Sequence, residues 1–191
     1  MDSALPGGTT IFLMANLNTP RLVLRSFVEE DLDRMAELMA DEGFMRFSLG
    51  LFSREQTQGF LEKLIRRAGS GLPSQFAVIF REDNRLIGYC GFFSQVVDDV
   101  EELEIGYRLD PAYWNRGIAT EAARAMRDYA FDELGLPRVI SLVHPENHPS
   151  RRVAEKNGMT IEKETVFRGF PTLVFSLGST RRVEVPRRDA E

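Results

Sequence analysis

Tyr113-Trp-Asn-Arg-Gly-Ile-Ala-Thr-Glu-Ala122 sits between a run with the period of a strand and a run with the period of a helix. Upstream, Leu103, Ile105, Tyr107 and Leu109 alternate with Glu102, Glu104, Gly106 and Arg108, which predicts a strand with two unlike faces. Downstream, Ile118, Ala122, Ala125, Met126, Tyr129 and Leu134 recur at helical spacing, and Gly135 supplies a stop. Gly117 and Ala119 leave the main chain approachable, so the N–H groups of residues 116–121 can point outward together. Unpaired N–H groups at the positive end of a helix favour a phosphate or pyrophosphate. The dipole contributes only about 0.3–2 kcal/mol, so directed hydrogen bonds must supply most of such an affinity. An ordinary strand-to-helix connection carries a glycine equally well, and neither a GxxxxGK[ST] nor a GxGxxG run occurs in the chain.

The next segment adds weight. Arg138-Val-Ile-Ser-Leu-Val143 is a short β-rich run, followed by His144-Pro-Glu-Asn-His-Pro-Ser150 and a helical stretch ending at Asn157-Gly158. Pro149 suits a first helical turn, and Asn147 or His148 can cap it. The order is strand, phosphate-type turn, long helix, strand, short helix, strand.

Residues 103–158 resemble the acetyl-coenzyme A binding core of the GNAT acyltransferase superfamily. Leu103-Glu-Ile-Gly-Tyr107, Gly117-Ile-Ala-Thr-Glu-Ala122, and Asn147, Ser150 and Glu155-Lys-Asn-Gly158 fall in that family's order and spacing. Thr19-Pro-Arg-Leu-Val-Leu-Arg25, followed by Glu29-Glu-Asp-Leu32, resembles the first strand and helix start of the ribosomal-protein N-terminal acetyltransferase branch. Leu86-Ile-Gly-Tyr-Cys-Gly-Phe92 resembles its third strand and Val166-Phe-Arg-Gly-Phe170 its last hairpin, so the likeness covers about residues 19–178. One residue departs: where the superfamily usually carries glutamine or arginine, three residues before Gly117, this chain has Trp114. That residue acts largely through its backbone in the family, so the departure bears on substrate branch more than on coenzyme binding.

The resemblance implies an α+β fold (mixed α/β, of the GNAT acyl-CoA N-acyltransferase type), with a mixed, mostly antiparallel sheet and helices on both faces. It implies acetyl-CoA as cosubstrate and no metal. Cofactor binding is thereby assigned to Leu109, Arg116, Gly117, Ile118, Ala119, Thr120, Glu121, Asn147 and Ser150. Asn147 matches a residue that hydrogen-bonds the pantetheine arm, and an ordinary N-cap is its compatible alternative. Ser150 matches a serine that steers or protonates the coenzyme A thiolate in some relatives, where tyrosine does so in others. A serine in a first helical turn also serves as a helix starter.

Acetyl transfer to an amine needs alignment, removal of a proton, a steadied oxyanion and a protonated thiolate. An α-amine with a pKa of about 7.7–8.0 is roughly a tenth free base at pH 7, whereas a lysine side chain near 10.4 is free about once in 2,500. An enzyme acting on N-terminal amines therefore manages with a weak base or a water relay. Glu104 is the first candidate for that base, because alternation puts it with Glu102 and Arg108 on the face opposite Leu103 and Ile105. The competing reading is a salt bridge to a neighbouring arginine. Glu102 reads as solvent-exposed. His144 and His148 lack metal-ligand spacing and read as polar loop groups. Arg151 and Arg152 match a ribose 3′-phosphate or plain exposed helix positions, and Tyr113 and Trp114 read as packing beneath the loop.

Composition bounds the rest. The chain has 191 residues, 43% of them hydrophobic, which suits one compact domain. The domain expected is 19–178, preceded by a flexible leader at 1–18 and followed by a charged tail at 179–191. A net charge of −5 argues against direct nucleic-acid binding. Ile11-Phe-Leu-Met-Ala15 is too short to span a membrane. The single cysteine, Cys90, excludes an intrachain disulfide, fits a cytoplasmic setting and reads as a buried structural thiol. Arginine greatly outnumbers lysine, which suggests a GC-rich bacterial source.

The coarse elements expected are strands at 21–26, 75–81, 86–94, 101–109, 138–144, 160–167 and 171–177. Helices are expected at 29–41, 53–68, 117–134 and 149–157. The loop 42–53, with Phe44, Met45, Phe47, Leu49 and Phe52, is expected to border the acceptor site and suits a peptide, an apolar amine or a dimer interface. The functional expectation is an N-acetyltransferase moving acetyl from acetyl-CoA to a primary amine, with the N-terminal α-amine of a ribosomal protein as the finer reading. The alternatives are a small-molecule amine acetyltransferase (amino sugar, polyamine, antibiotic or amino acid) and a non-catalytic acyl-CoA sensor. The protein is expected to be a monomer or a homodimer.

Overall fold

A computed structural model describes residues 16–48 and 50–179; Leu49, most of the expected leader and nearly all of the tail lie outside them. In chain order the elements are β1 (Leu17–Asn18), β2 (Leu22–Arg25), α1 (Leu32–Met39), α2 (Glu42–Met45), α3 (Arg54–Gly69), β3 (Gln75–Phe80), β4 (Arg85–Val97), β5 (Val100–Leu109), α4 (Ile118–Asp128), β6 (Arg138–Val143), α5 (His148–Lys156), β7 (Thr160–Phe167) and β8 (Phe170–Gly178). The strands form one eight-stranded sheet in the order β1-β2-β3-β4-β5-β6-β8-β7. Every neighbouring pair is antiparallel except β5 and β6, which are parallel and joined by α4. Parallel neighbours need such a crossover.

The sheet buries side chains on both faces. On one, Leu22, Leu24, Phe76, Val78, Phe92, Leu103 and Ile105 pack against Ile118, Ala122, Met126 and Tyr129 of α4 and its extension. On the other, Ala77, Ile79, Leu86 and Tyr89 pack against Met35, Leu38 and Met39 of α1, Phe44 and Met45 of α2, and Leu61 and Leu64 of α3. The apolar contacts of that helical layer fall on β2 to β4. Farther along the same face a small cluster of Val97, Ile140 and Val174, flanked by Leu142 and Phe167, is built from strands alone. Glu104 lies on this face, opposite Phe93 in the β4–β5 register, at the border between the helix-covered half and the strand-only half.

The differences from the expected elements have local causes. β4 runs to Val97 because Ser94-Gln-Val-Val97 still pairs with Val100–Leu103 through a tight turn at Asp98-Asp99. Both turn residues have positive φ, 49° and 64°, without the glycine that announces such turns. The helix expected at 29–41 is α1 preceded by a 3-10 turn at Glu29–Asp31, where Asp31 accepts from the Val28 N–H and grips Arg25 through both guanidinium ends. The helix expected at 117–134 is α4 followed by a π-helical turn, Tyr129–Glu133, in which the Leu134 N–H reaches back to the Tyr129 carbonyl. The segment 42–53 opens with α2, capped by the Asp41 carboxylate on the Phe44 N–H, and ends in a reciprocal capping box between Ser53 and Gln56 that starts α3.

Candidate active site

β5 and β6 meet at a single registered pair, Glu104 and Ile140. Before it they are tied by an ion pair, Arg138 to Glu102 at 2.8 Å. Just after it the Ser141 hydroxyl donates to the Ile105 carbonyl at 2.8 Å. Beyond that bond β5 continues for four residues, 106–109, with no partner on its β6 side, and the strands part. The parting lies toward the carboxyl ends of two parallel strands, where such sheets commonly receive ligands.

The α4 N-terminus stands at that same end. Gly117 takes φ 75° at the N-cap, a left-handed geometry that suits glycine, and Asn115 before it also has positive φ. No side chain caps α4, and among the described residues no group accepts from the backbone N–H groups of 116–120; the Glu121 N–H closes the first turn onto the Gly117 carbonyl. These directed donors fit a diphosphate.

The loop is braced from the turn between β1 and β2. The Arg21 guanidinium donates to the Arg116 carbonyl at 2.8 Å and to Glu121 Oε2 at 2.7 Å. The Arg21 N–H and the Thr19 hydroxyl both donate to Glu121 Oε1, at 2.9 and 2.6 Å. Desolvation on its own would raise the Glu121 carboxyl, but these hydrogen bonds outweigh it and hold the pKa below the ordinary value. The Glu121 side chain is therefore spent on the brace, which leaves only main chain to offer a cofactor. Arg116 lays its guanidinium on the rings of Phe80 and Tyr113, at 5.0 and 5.4 Å. Leu109 is buried, and its carbonyl accepts the Trp114 indole N–H at 2.7 Å, so Trp114 ties the loop back onto the end of β5. Tyr113 is buried, with its hydroxyl on Asp83 at 2.6 Å. Ile118 is buried in the core and Ala119 packs against it, which seats the helix start, while Thr120 stays half-buried.

On the α4 side of the sheet, α5 carries the second group. Asn147 Oδ1 accepts from the Ser150 N–H at 3.2 Å, making Asn147 the N-cap. The Tyr107 hydroxyl donates to the Ser150 carbonyl at 3.3 Å and pins the first turn of α5 to β5. Burial pushes the Tyr107 phenol up, so it stays protonated. No hydrogen bond among the described residues occupies the Ser150 hydroxyl.

Glu104 faces the opposite side. It is buried, and its Oε2 accepts from the Gln95 amide at 2.6 Å. Burial raises its carboxyl above the usual range, while the Gln95 amide, the Leu142 N–H, Arg168 and Arg108 pull it back. Gly106 lets the Phe93 ring close in beside it: a Cβ there would lie 2.8 Å from the Phe93 ring and 3.6 Å from Glu104 Oε1. The salt bridge weighed against a role for Glu104 is made by its neighbour instead, since Glu102 pairs with Arg138 and is half-buried rather than solvent-exposed. At the rim, the His144 ring lies 5.9 Å from Phe47, which brings Phe47 to the end of β6, and His144 Nδ1 accepts from the Glu146 N–H. His148 is exposed at the start of α5, and Arg151 donates to the Pro145 carbonyl.

Sequence periodicity did not single out Gln95, Tyr107, Arg21 or Arg168. Gln95 shares a face with Phe93 and Val97 at strand spacing, and that signal is legible once β4 is run past its apolar stretch.

An acetyltransferase (GNAT) domain family matches residues 21–160. The chain is 35% identical over 148 residues, 77% of its length and 84% of the relative's, to the uncharacterized N-acetyltransferase YnaD of Bacillus subtilis. A solved GNAT-family acetyltransferase from Bacillus anthracis superposes with a TM-score of 0.74 at 30% identity, covering 86% of this chain and 98% of that one. The ribosomal L7/L12 α-N-protein acetyltransferase RimL, solved in complex with coenzyme A, shares the fold with a TM-score of 0.74 at 18% identity over 86% of this chain and 98% of its own.

Proposed function

The chain belongs to the GNAT acetyltransferase family and is an acetyl-CoA-dependent N-acetyltransferase, and from that premise we propose that its acceptor is a primary amine presented to Glu104, in particular the N-terminal α-amine of a protein. The observation that carries the reading is the position of Glu104: a buried, hydrogen-bonded carboxylate beside the point where β5 and β6 part, on the face opposite the open N-terminus of α4. Support for the α-amine comes from the Thr19–Arg25 and Val166–Phe170 resemblances to the ribosomal-protein branch. It comes also from a site with one carboxylate base, which suffices for an amine that is already partly free at neutral pH.

The backbone N–H groups of 116–120 hold the coenzyme's diphosphate, and the unpaired edge of 106–109 receives its extended arm. The bound thioester supplies an acyl carbonyl already activated for attack. Glu104, its carboxyl raised by burial above the ordinary range, takes the amine proton directly or through one water. The Ser150 hydroxyl, on a first turn fixed by Asn147 and Tyr107, steers and protonates the leaving sulfur. Phe47, beside His144, walls the acceptor side.

The test is thiol release from acetyl-CoA with a panel of peptides bearing free N-termini, the same peptides with only a lysine side chain free, amino sugars and polyamines, alongside calorimetric binding of coenzyme A. Turnover confined to free N-termini supports the reading. Turnover confined to small amines replaces the acceptor, and coenzyme A binding without turnover on any amine makes the protein a sensor.

A further inference from the structure

The carboxylate of Glu104 is the end of a three-residue chain. Arg168 donates from its guanidinium to Gln95 Oε1 at 3.1 Å, and Gln95 Nε2 donates to Glu104 Oε2 at 2.6 Å. The polarity of this chain follows from chemistry. A guanidinium only donates and a carboxylate only accepts, so the amide between them has one orientation that satisfies both. Arg168 stands at the tip of the β7–β8 hairpin, in a two-residue turn with φ 50° and 85° at Arg168 and Gly169, and its guanidinium also lies 5.0 Å from the Phe167 ring. Gln95 is half-buried, and its strand position opposite Glu102 places it diagonal to Glu104 on the same face.

We infer that Gln95 is a positioning residue for the Glu104 base, and that Arg168, from the β7–β8 hairpin, fixes which end of the Gln95 amide Glu104 meets. The inference rests on Glu104 acting as the proton acceptor in acetyl transfer. Without Arg168 the amide turns over at little cost once Glu104 is protonated, its carbonyl oxygen then accepting the carboxyl proton, which favours a protonated Glu104. The hairpin is thereby coupled to the charge of the base, although Arg168 itself is exposed at the surface.

The other charged and titratable groups facing Glu104 are accounted for. Arg108 lies on the same strand and face and donates to Met45 Sδ. Glu102, also on that face, is neutralised by Arg138 of β6. Tyr89 of β4 is buried, and its phenol is pushed up by that burial, so it stays neutral. From β6 the contribution is the Leu142 N–H, which favours the ionised carboxylate as Gln95 does.

The experiment compares the pH profile of kcat/KM for the wild type, Gln95→Leu, Arg168→Met and Arg168→Lys, with the Kd of coenzyme A measured for each. Gln95→Leu should lose about tenfold more activity at the acidic end of the profile than at the alkaline end, with an unchanged Kd. Arg168→Met should show a smaller loss in the same direction, and Arg168→Lys, which keeps a donor, should restore most of it. A uniform loss at every pH, or a profile superposable on the wild type, overturns the inference. A second readout needs no turnover: the pH dependence of unfolding, measured for the wild type, Gln95→Leu, Glu104→Gln and the double variant that combines the two substitutions. Gln95→Leu should alter that dependence only where Glu104 is present, and equal effects in both backgrounds overturn the positioning role. If the wild type releases no thiol with any amine, the functional reading fails, while this cycle still decides whether Gln95 controls Glu104.

Discussion

Glu104, the base proposed above, is placed at a cost to the fold. Its folded-state pKa is raised by burial, so the folded protein holds the proton more tightly than the unfolded chain does. The associated stability is fully present below the unfolded value and is lost as pH rises through the folded value. Glu104→Gln stays neutral at every pH. It should therefore melt higher than the wild type at pH 7–8, with the difference closing toward pH 4, as a series of thermal melts will show. Arg21 sits at the other end of the site. Removing it leaves the Arg116 carbonyl and Glu121 Oε2 short of guanidinium donors. Arg21→Ala should weaken coenzyme A binding about tenfold, or about 1.4 kcal/mol, by calorimetry. It should cost only about 1 kcal/mol of stability, because the guanidinium is partly solvated. The Thr19–Arg25 motif was legible as a sequence resemblance. Its physical task, bracing the anion loop a hundred residues away, was not, because nothing local in Thr19-Pro-Arg21 points to Glu121.

At the scale of elements, the decisive feature is the pair β5 and β6. The alternation from Glu102 to Leu109 marked β5 and its two faces, and Gly117 marked the turn after it, because both are short-range patterns. The parting of the strands was not legible, since it depends on which edge of β5 finds a partner. The same limit hid the ends of β4, where polar Ser94 and Gln95 interrupt the apolar run although the backbone pairing continues. It also hid α2, which lies in a segment read as loop and is capped by Asp41, read as the end of the preceding helix, and the pairing of Leu17–Asn18 with β2, which starts the sheet inside the last residues of the stretch read as leader. Gly106 belongs to this scale because its missing side chain makes room for Phe93 beside the base. Gly106→Ala should cost about 1–3 kcal/mol from overpacking. It should also lower kcat more than it changes the Kd of coenzyme A, which urea melts and steady-state kinetics on one preparation will check.

For the whole molecule, the sheet works as a partition. α4 and α5 bring the anion donors and Ser150 to one side, α1 to α3 leave the far half of the other side uncovered, and the parting between β5 and β6 connects the two. The partition depends on a rigid centre. Phe92, buried on the α4 side and stacked near Tyr129, anchors it, so Phe92→Ala should cost about 3–5 kcal/mol in a denaturant melt. The fold class was readable from the order of strands, turn and helices. The acceptor was not, because periodicity does not reach Phe47 or His144, whose rings meet only in the folded chain.

The most direct measurement is thiol release by the wild type and Glu104→Gln with a saturating free-N-terminus peptide at pH 7.5, with the Kd of coenzyme A determined on the same samples. A base at Glu104 predicts a fall in kcat of about 10²-fold or more with an unchanged Kd. Equal kcat values for the two proteins would contradict the account.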